Sequence, residues 1–99
     1  MSILIEELKQ NKSIEKRFDS KGNIYRIRVL GNGNNLFFQE NDNCLLCEID
    51  AVHGVIFTKS IKKWEGKGKM SKTEKNRVIE LIEKYYKEVY NPKVKLSDF

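Results

Sequence analysis

The sequence predicts an α+β domain: a short N-terminal helix, an antiparallel meander sheet of four or five strands, and a C-terminal helix packed on one sheet face. Three observations lead to this fold class. Short runs of apolar and polar side chains alternate through residues 13–57, as in half-buried strands. Clusters of Gly and Asn separate these runs, which is typical of tight connections. After residue 70, apolar side chains recur at three- and four-residue spacing, which indicates an amphipathic helix.

Size and composition limit the possibilities further. The 99 residues predict one domain, because a chain of this length has apolar side chains for a single core. With 39% hydrophobic and 33% charged residues, the composition is that of a folded protein rather than a disordered one. No apolar stretch approaches the roughly 20 residues of a membrane span, and the start has no secretory pattern, so we expect a cytoplasmic location. We divide the chain into an N-terminal helix (1–12), a sheet (13–57), a basic loop (58–70), a helix (71–91) and a tail (92–99).

The first half of the chain predicts a short helix and then a hairpin. Apolar residues within 3–8 have the spacing of one helical turn. Residues 13–19 and 24–30 form two strands around a Ser-Lys-Gly-Asn turn. Side chains alternate along a strand, so the apolar residues of the second strand share one face and its two arginines share the other.

Three further strands complete the predicted sheet. The turn that precedes them is Gly31-Asn32-Gly33-Asn34-Asn35, since Gly and Asn tolerate the positive φ of tight connections. The strands cover residues 36–40, 44–51 and 55–57. The last of these has three consecutive apolar residues, which indicates burial on both faces.

The C-terminal helix has recognisable start and stop signals. Ser71 and Glu74 form a Ser-x-x-Glu capping box, so we place the helix start at Ser71. Val78 and Ile82 begin its apolar stripe, and Asn91-Pro92 ends it. The tail that follows either docks on the sheet or frays.

Three motifs that suggest chemistry have simpler structural interpretations. Cys44 and Cys47 have the spacing of a metal knuckle or redox pair, but on a strand they point to opposite faces, so we interpret them as buried apolar residues. His53 precedes a glycine in a turn and lacks a positioned nucleophile, which favours a loop histidine over a catalytic base. Gly31 and Gly33 lack the third glycine of a phosphate loop. We predict no catalytic residue, no metal site and no cofactor.

Charge is distributed unevenly along the chain, whose formal net charge is +5. Residues 59–77 contain seven lysines and one arginine against two glutamates, whereas residues 40–50 contain only acidic charges. A charged partner is therefore predicted. One alternative is single-stranded nucleic acid, because the lysines would contact phosphates while Trp64, Tyr25, Phe37 and Phe38 would stack on bases.

Residues 54–86 resemble a small family of bacterial polymorphic-toxin immunity proteins. The resemblance rests on two motifs, Phe57-x-x-Ser60-Ile61-x-x-Trp64-Glu65 and Ser71-x-x-Glu74-Lys75-x-x-Val78-Ile79-x-x-Ile82. In that family a β-rich part leads into a Ser-Ile-x-x-Trp-acidic motif, a brief loop and a helix of this type. The chain departs from the family after Glu65, where Gly66-Lys67-Gly68 replaces the usual prolines.

The resemblance implies a non-enzymatic cytoplasmic inhibitor that binds the C-terminal toxin domain of a polymorphic or contact-dependent growth inhibition effector. Two surfaces are candidates for that contact. The basic loop around Lys62, Lys63 and Trp64 suits an acidic partner, although Trp64 has a structural alternative as a ring beneath the helix. The acidic strand and turn suits a basic nuclease, and we favour it because many such toxins are nucleases. Its residues are Glu40, Asp42, Glu48 and Asp50.

Overall fold

The alternating runs pair into one sheet with a helix on each face. The computed structural model describes residues 3–98, so Met1 and Ser2 of the predicted first helix and Phe99 of the predicted tail lie outside the described residues. In chain order the elements are α1 (Ile3–Gln10), β1 (Arg17–Phe18), β2 (Ile24–Leu30), β3 (Asn35–Glu40), β4 (Asn43–Asp50), β5 (Val55–Phe57), a 3₁₀ turn (Thr58–Ser60), α2 (Lys72–Val89) and β6 (Lys95–Ser97).

Within residues 3–98 the sheet has six strands, and their spatial order is their order in the chain. The first five pair antiparallel with their neighbours, as predicted for a meander. The last pair, β5 and β6, is parallel. Since parallel neighbours need a crossover connection, α2 serves as that crossover. The α+β class is confirmed, and the sheet is mostly rather than wholly antiparallel.

The predicted four or five strands fall short of the six observed within residues 3–98, because the tail docks as an additional strand. Val94 is buried against the main core, and the Lys95 N–H donates to the Gly54 carbonyl at 2.8 Å. At the other edge, the predicted strand over 13–19 is reduced to β1. Its start is diverted because Ile14 packs with α1 and donates its N–H to the Asn11 carbonyl at 3.3 Å.

The two sheet faces have separate hydrophobic clusters. On one face, α2 buries Val78, Ile82, Tyr85 and Tyr86 against the odd-numbered positions of β2 and β4 and the even-numbered positions of β3. On the opposite face, α1 packs against other side chains of the same strands, so the predicted packing of the C-terminal helix on one sheet face is half of the arrangement. The cluster of buried residues around α1 consists of Ile5, Leu8, Ile14, Phe37 and Cys44.

The two cysteines lie on opposite faces, as the strand pattern predicted. Cys44 packs with α1, and Cys47 packs with the cluster under α2. Burial raises the pKa of the Cys44 thiol to about 11 and that of the Cys47 thiol to about 12. Both thiols are therefore protonated at neutral pH, and a protonated thiol is a poor nucleophile.

Candidate functional site

The predicted basic loop folds as a hairpin, which we call the lysine hairpin (residues 62–70). Lys63 and Lys69 face each other in an antiparallel bridge. Beside them, the Met70 N–H donates to the Lys62 carbonyl at 2.9 Å. Gly66 makes the reversal with a φ of +78°, a conformation that a glycine adopts without steric cost. The backbone of this segment is therefore held by defined contacts and is not simply a solvated loop.

Trp64 anchors the lysine hairpin to the core. It is 5% exposed, its ring stacks on Phe38 with centroids 6.3 Å apart, and its Nε1 donates to a Glu74 carboxylate oxygen at 3.1 Å. The Glu65 N–H donates to the Cys44 carbonyl at 2.7 Å. Because successive side chains of an extended segment point to opposite sides, burial of Trp64 turns its neighbours outward. Trp64 is thus a buried ring beneath the helix, as the structural alternative predicted. Its ring offers no surface on which a nucleic-acid base could stack.

The lysines of this region face solvent without counter-ions. Four lie in the lysine hairpin and two flank it. Among residues 3–98, none of the six makes an ion pair within 4.0 Å. The lysine hairpin thus concentrates positive charge on a fixed backbone. The six exposed residues are Lys59, Lys62, Lys63, Lys67, Lys69 and Lys72.

The predicted acidic surface is not assembled. Glu40 is 7% exposed and lies on the α2 side of the sheet, where both carboxylate oxygens accept from the Arg77 guanidinium at 2.7 Å. The Tyr25 hydroxyl donates to the same carboxylate at 3.1 Å. These contacts occupy Glu40 within the fold, so it adds nothing to an exposed acidic face.

Of the other acidic candidates, Asp42 lies far from Glu48 and Asp50, which are two positions apart on one face of β4. Asp42 is exposed in the turn before β4, and Glu48 is exposed near the far end of that strand. Asp50 is half-buried and closes the following turn, accepting from the His53 N–H at 3.0 Å and lying 2.8 Å from its Nδ1. These bonds, led by the backbone one, lower the pKa of Asp50. At about 3.4 Å per strand residue, Asp42 and Asp50 are separated by more than about 20 Å.

A charge network connects the lysine hairpin to the sheet through α2. Ser71 caps the helix by accepting the Glu74 N–H at 3.1 Å. The return half of the predicted capping box is not formed, because the Glu74 carboxylate turns to Trp64 and to Arg77, whose Nε lies 2.8 Å away. These hydrogen bonds, the one from Arg77 foremost, lower the pKa of Glu74 to about 2. The bonds to Glu40 and then to Glu74 raise the pKa of Arg77.

A cavity of about 1170 Å³ opens between the end of α1 and the sheet. Arg26 lines it and is 5% exposed. Every N–H of its guanidinium already has an acceptor, so Arg26 has no donor left for a ligand. Arg26 therefore holds the end of α1 on the sheet. The acceptors are the carbonyls of Leu8, Lys9, Asn11 and Ile14 and the side-chain oxygen of Gln39.

Sequence reasoning missed two residues of this region. Lys69 was counted in the basic run but not recognised as facing Lys63, although the glycines at 66 and 68 are the composition of a hairpin turn. Arg77 was not recognised as the partner of Glu40. No local signal connects residues 37 positions apart.

Comparison of the chain with protein-family models, with curated proteins and with solved structures finds no match. Two observations on residues 3–98 complete the description. No helix there is long and apolar enough to cross a membrane. No group of three or more His, Cys, Asp or Glu side chains in that range is placed to hold a metal ion.

Proposed function

We propose that this protein is an immunity protein that acts in the cytoplasm by binding and neutralising the C-terminal toxin domain of a bacterial polymorphic or contact-dependent growth inhibition effector. The observation that carries the proposal is the lysine hairpin, a fixed backbone whose exposed lysines make no ion pair with any residue of the range 3–98. Complementary charge accelerates association and selects the partner. A backbone that is already ordered loses little entropy on binding.

The motif behind the family resemblance supplies the scaffold of this surface. Ile61 and Trp64 are buried, and the Ser60 hydroxyl donates to the Phe57 carbonyl at 2.6 Å and accepts from the Glu48 N–H at 2.8 Å. These residues hold the lysine hairpin against β4 and α2. In the proposed function, the motif fixes the platform, and the lysines between its positions select the partner.

The proposal uses the basic surface rather than the acidic one favoured from sequence. Glu40 is occupied by Arg77, and the remaining acidic residues are spread along β4 and its turns. The lysines, in contrast, are adjacent and exposed, and within residues 3–98 they make no ion pair shorter than 4.0 Å. The toxin surface that they contact is then acidic, unlike the basic groove with which a nuclease binds its substrate.

A neutralisation assay tests the proposal. Toxin domains of large effectors from the same bacterium are expressed from an inducible promoter in a heterologous host, with this chain or with an empty vector. We expect one toxin domain to stop growth alone, to be tolerated with this chain, and to co-purify with it stoichiometrically. A chain that protects against none of them and instead elutes with salt-sensitive nucleic acid would contradict the proposal and favour the nucleic-acid-binding module.

A further inference from the structure

Lys63 and Lys69 form an unusual pair within the lysine hairpin. They face each other across the bridge, so their side chains leave the same side of the ribbon. The hydrogen bond from Met70 to Lys62 runs beside the pair, which is the pattern of a non-hydrogen-bonded position. At such positions the facing Cα atoms are only about 4.5 Å apart, the closest spacing in an antiparallel pair.

This arrangement places two positive charges directly opposite one another. Like charges directly opposite one another destabilise a strand pair. Neither lysine has an ion pair within 4.0 Å among residues 3–98. The repulsion is built into a hairpin that Trp64 and its hydrogen bonds hold closed. An anion between the two ammonium groups would relieve it.

We propose that Lys63 and Lys69 form a clamp for a carboxylate of an acidic polypeptide segment, and this inference rests on the proposed function because the segment belongs to the toxin domain. A carboxylate can accept from both ammonium groups at once. A protein partner fits better than single-stranded nucleic acid, since base stacking needs exposed rings. Of the described aromatic residues, the large exposed ones are Phe18 in β1 and Tyr90 after α2, both outside the lysine hairpin.

The clamp has a signature that an ordinary surface charge lacks, because substitution changes stability and binding in opposite directions. Lys69→Glu places an internal carboxylate opposite Lys63, and Lys63→Glu does the reverse. Each single variant should melt about 1–5 °C above the parent protein. Each should also lose binding of an acidic ligand by about tenfold or more. The double variant Lys63→Glu with Lys69→Glu again places like charges opposite one another, now both negative. It should lose binding of the acidic ligand without any gain in melting temperature.

The experiment measures melting temperature and binding together. The probes are a poly-L-glutamate peptide and a poly-dT oligonucleotide of equal charge, titrated by fluorescence anisotropy at low and at physiological salt. Lys93→Glu is the matched control, since it makes the same charge change at an exposed lysine outside the lysine hairpin. We expect this control to melt and to bind poly-glutamate as the parent protein does.

Three results of the melting and binding measurements would overturn the clamp: single variants that melt at or below the parent temperature, unchanged binding of poly-glutamate by Lys69→Glu, or tighter lysine-hairpin-dependent binding of poly-dT. The neutralisation assay separates this inference from the proposed function. If Lys69→Glu protects cells as well as the parent protein, the clamp is wrong while neutralisation stands. If the parent protein protects against no toxin but the stability and poly-glutamate results hold, neutralisation and the assignment of the segment to a toxin are wrong, while carboxylate binding by Lys63 and Lys69 stands.

Discussion

Removal of the Arg77 side chain should destabilise this protein more than removal of any other exposed charge on α2. In Arg77→Ala, the Glu40 carboxylate, whose side chain is 9% exposed, keeps only the Tyr25 hydroxyl as a side-chain partner. Breaking a buried ion pair from one side costs about 3–5 kcal/mol. Arg77 itself is 46% exposed, so water that replaces it solvates Glu40 partly, and we expect a cost of about 2–3 kcal/mol.

The reciprocal substitution should be milder. Glu40→Gln keeps the shape of the side chain, and Arg77 stays exposed to solvent and bonded to Glu74. We therefore expect this variant to lose about 1 kcal/mol of unfolding free energy. The two changes share one interaction, so the double variant should cost less than their sum by about 1 kcal/mol. Lys87→Ala is the matched control, because its pair with Glu83 at 3.4 Å lies on the helix surface and contributes at most about 0.5 kcal/mol.

Urea unfolding followed by Trp64 fluorescence and by circular dichroism measures these differences. For m-values of about 1–3 kcal/mol/M, Arg77→Ala should lower the urea midpoint by roughly 1–3 M at an unchanged m-value. The reasoning is refuted if Arg77→Ala unfolds at the same urea concentration as Lys87→Ala, or if the effects of Arg77→Ala and Glu40→Gln simply add.

Three further predictions concern the anchors of the fold. Because folding lowers the pKa of Glu74 from 4.5 to about 2, the unfolded state takes up its proton first. The contribution of Glu74 to the free energy of unfolding is therefore complete above about pH 4.5 and is lost towards pH 2. In urea titrations, Glu74→Gln should reduce the fall in stability over this pH range. Trp64→Ala should cost about 3–5 kcal/mol and Trp64→Phe clearly less in thermal unfolding; equal losses would contradict a packed, hydrogen-bonded indole. Arg26→Met should leave the carbonyls at the end of α1 unsatisfied, cost about 2–3 kcal/mol, and speed amide hydrogen exchange within residues 3–10; unchanged exchange there would show that Arg26 does not hold the helix.

Elements with local signals were predictable from the sequence. The helix assigned to residues 71–91 occupies Lys72–Val89, since its cap, its apolar period and Pro92 all lie within or beside it. β5 has the predicted bounds. Cys44 and Cys47 lie on opposite faces because two-residue alternation is a property of the strand backbone itself.

Features that depend on distant partners were not predictable in the same way. Glu40 looks like an exposed acid in a run of acidic residues, and only the packing of α2 brings Arg77 to it. The exposed turn aspartate Asp42 and the buried Glu40 have the same local sequence character. The order of charged residues along the chain therefore does not tell which of them remain exposed and share a surface after folding.

The sequence by itself determined the α+β class, the faces of β2 and β4, the extent of α2 and the concentration of lysines after β5. These follow from the period of the backbone and from capping and turn residues, which act over a few positions. The tertiary structure alone decided that the tail adds β6 and that Trp64 is an anchor. It also decided that Lys63 faces Lys69 and that Glu40 is taken out of the acidic surface. Each of these depends on contacts between residues distant in sequence or on which side chain fills the core, and local periodicity carries no information about either.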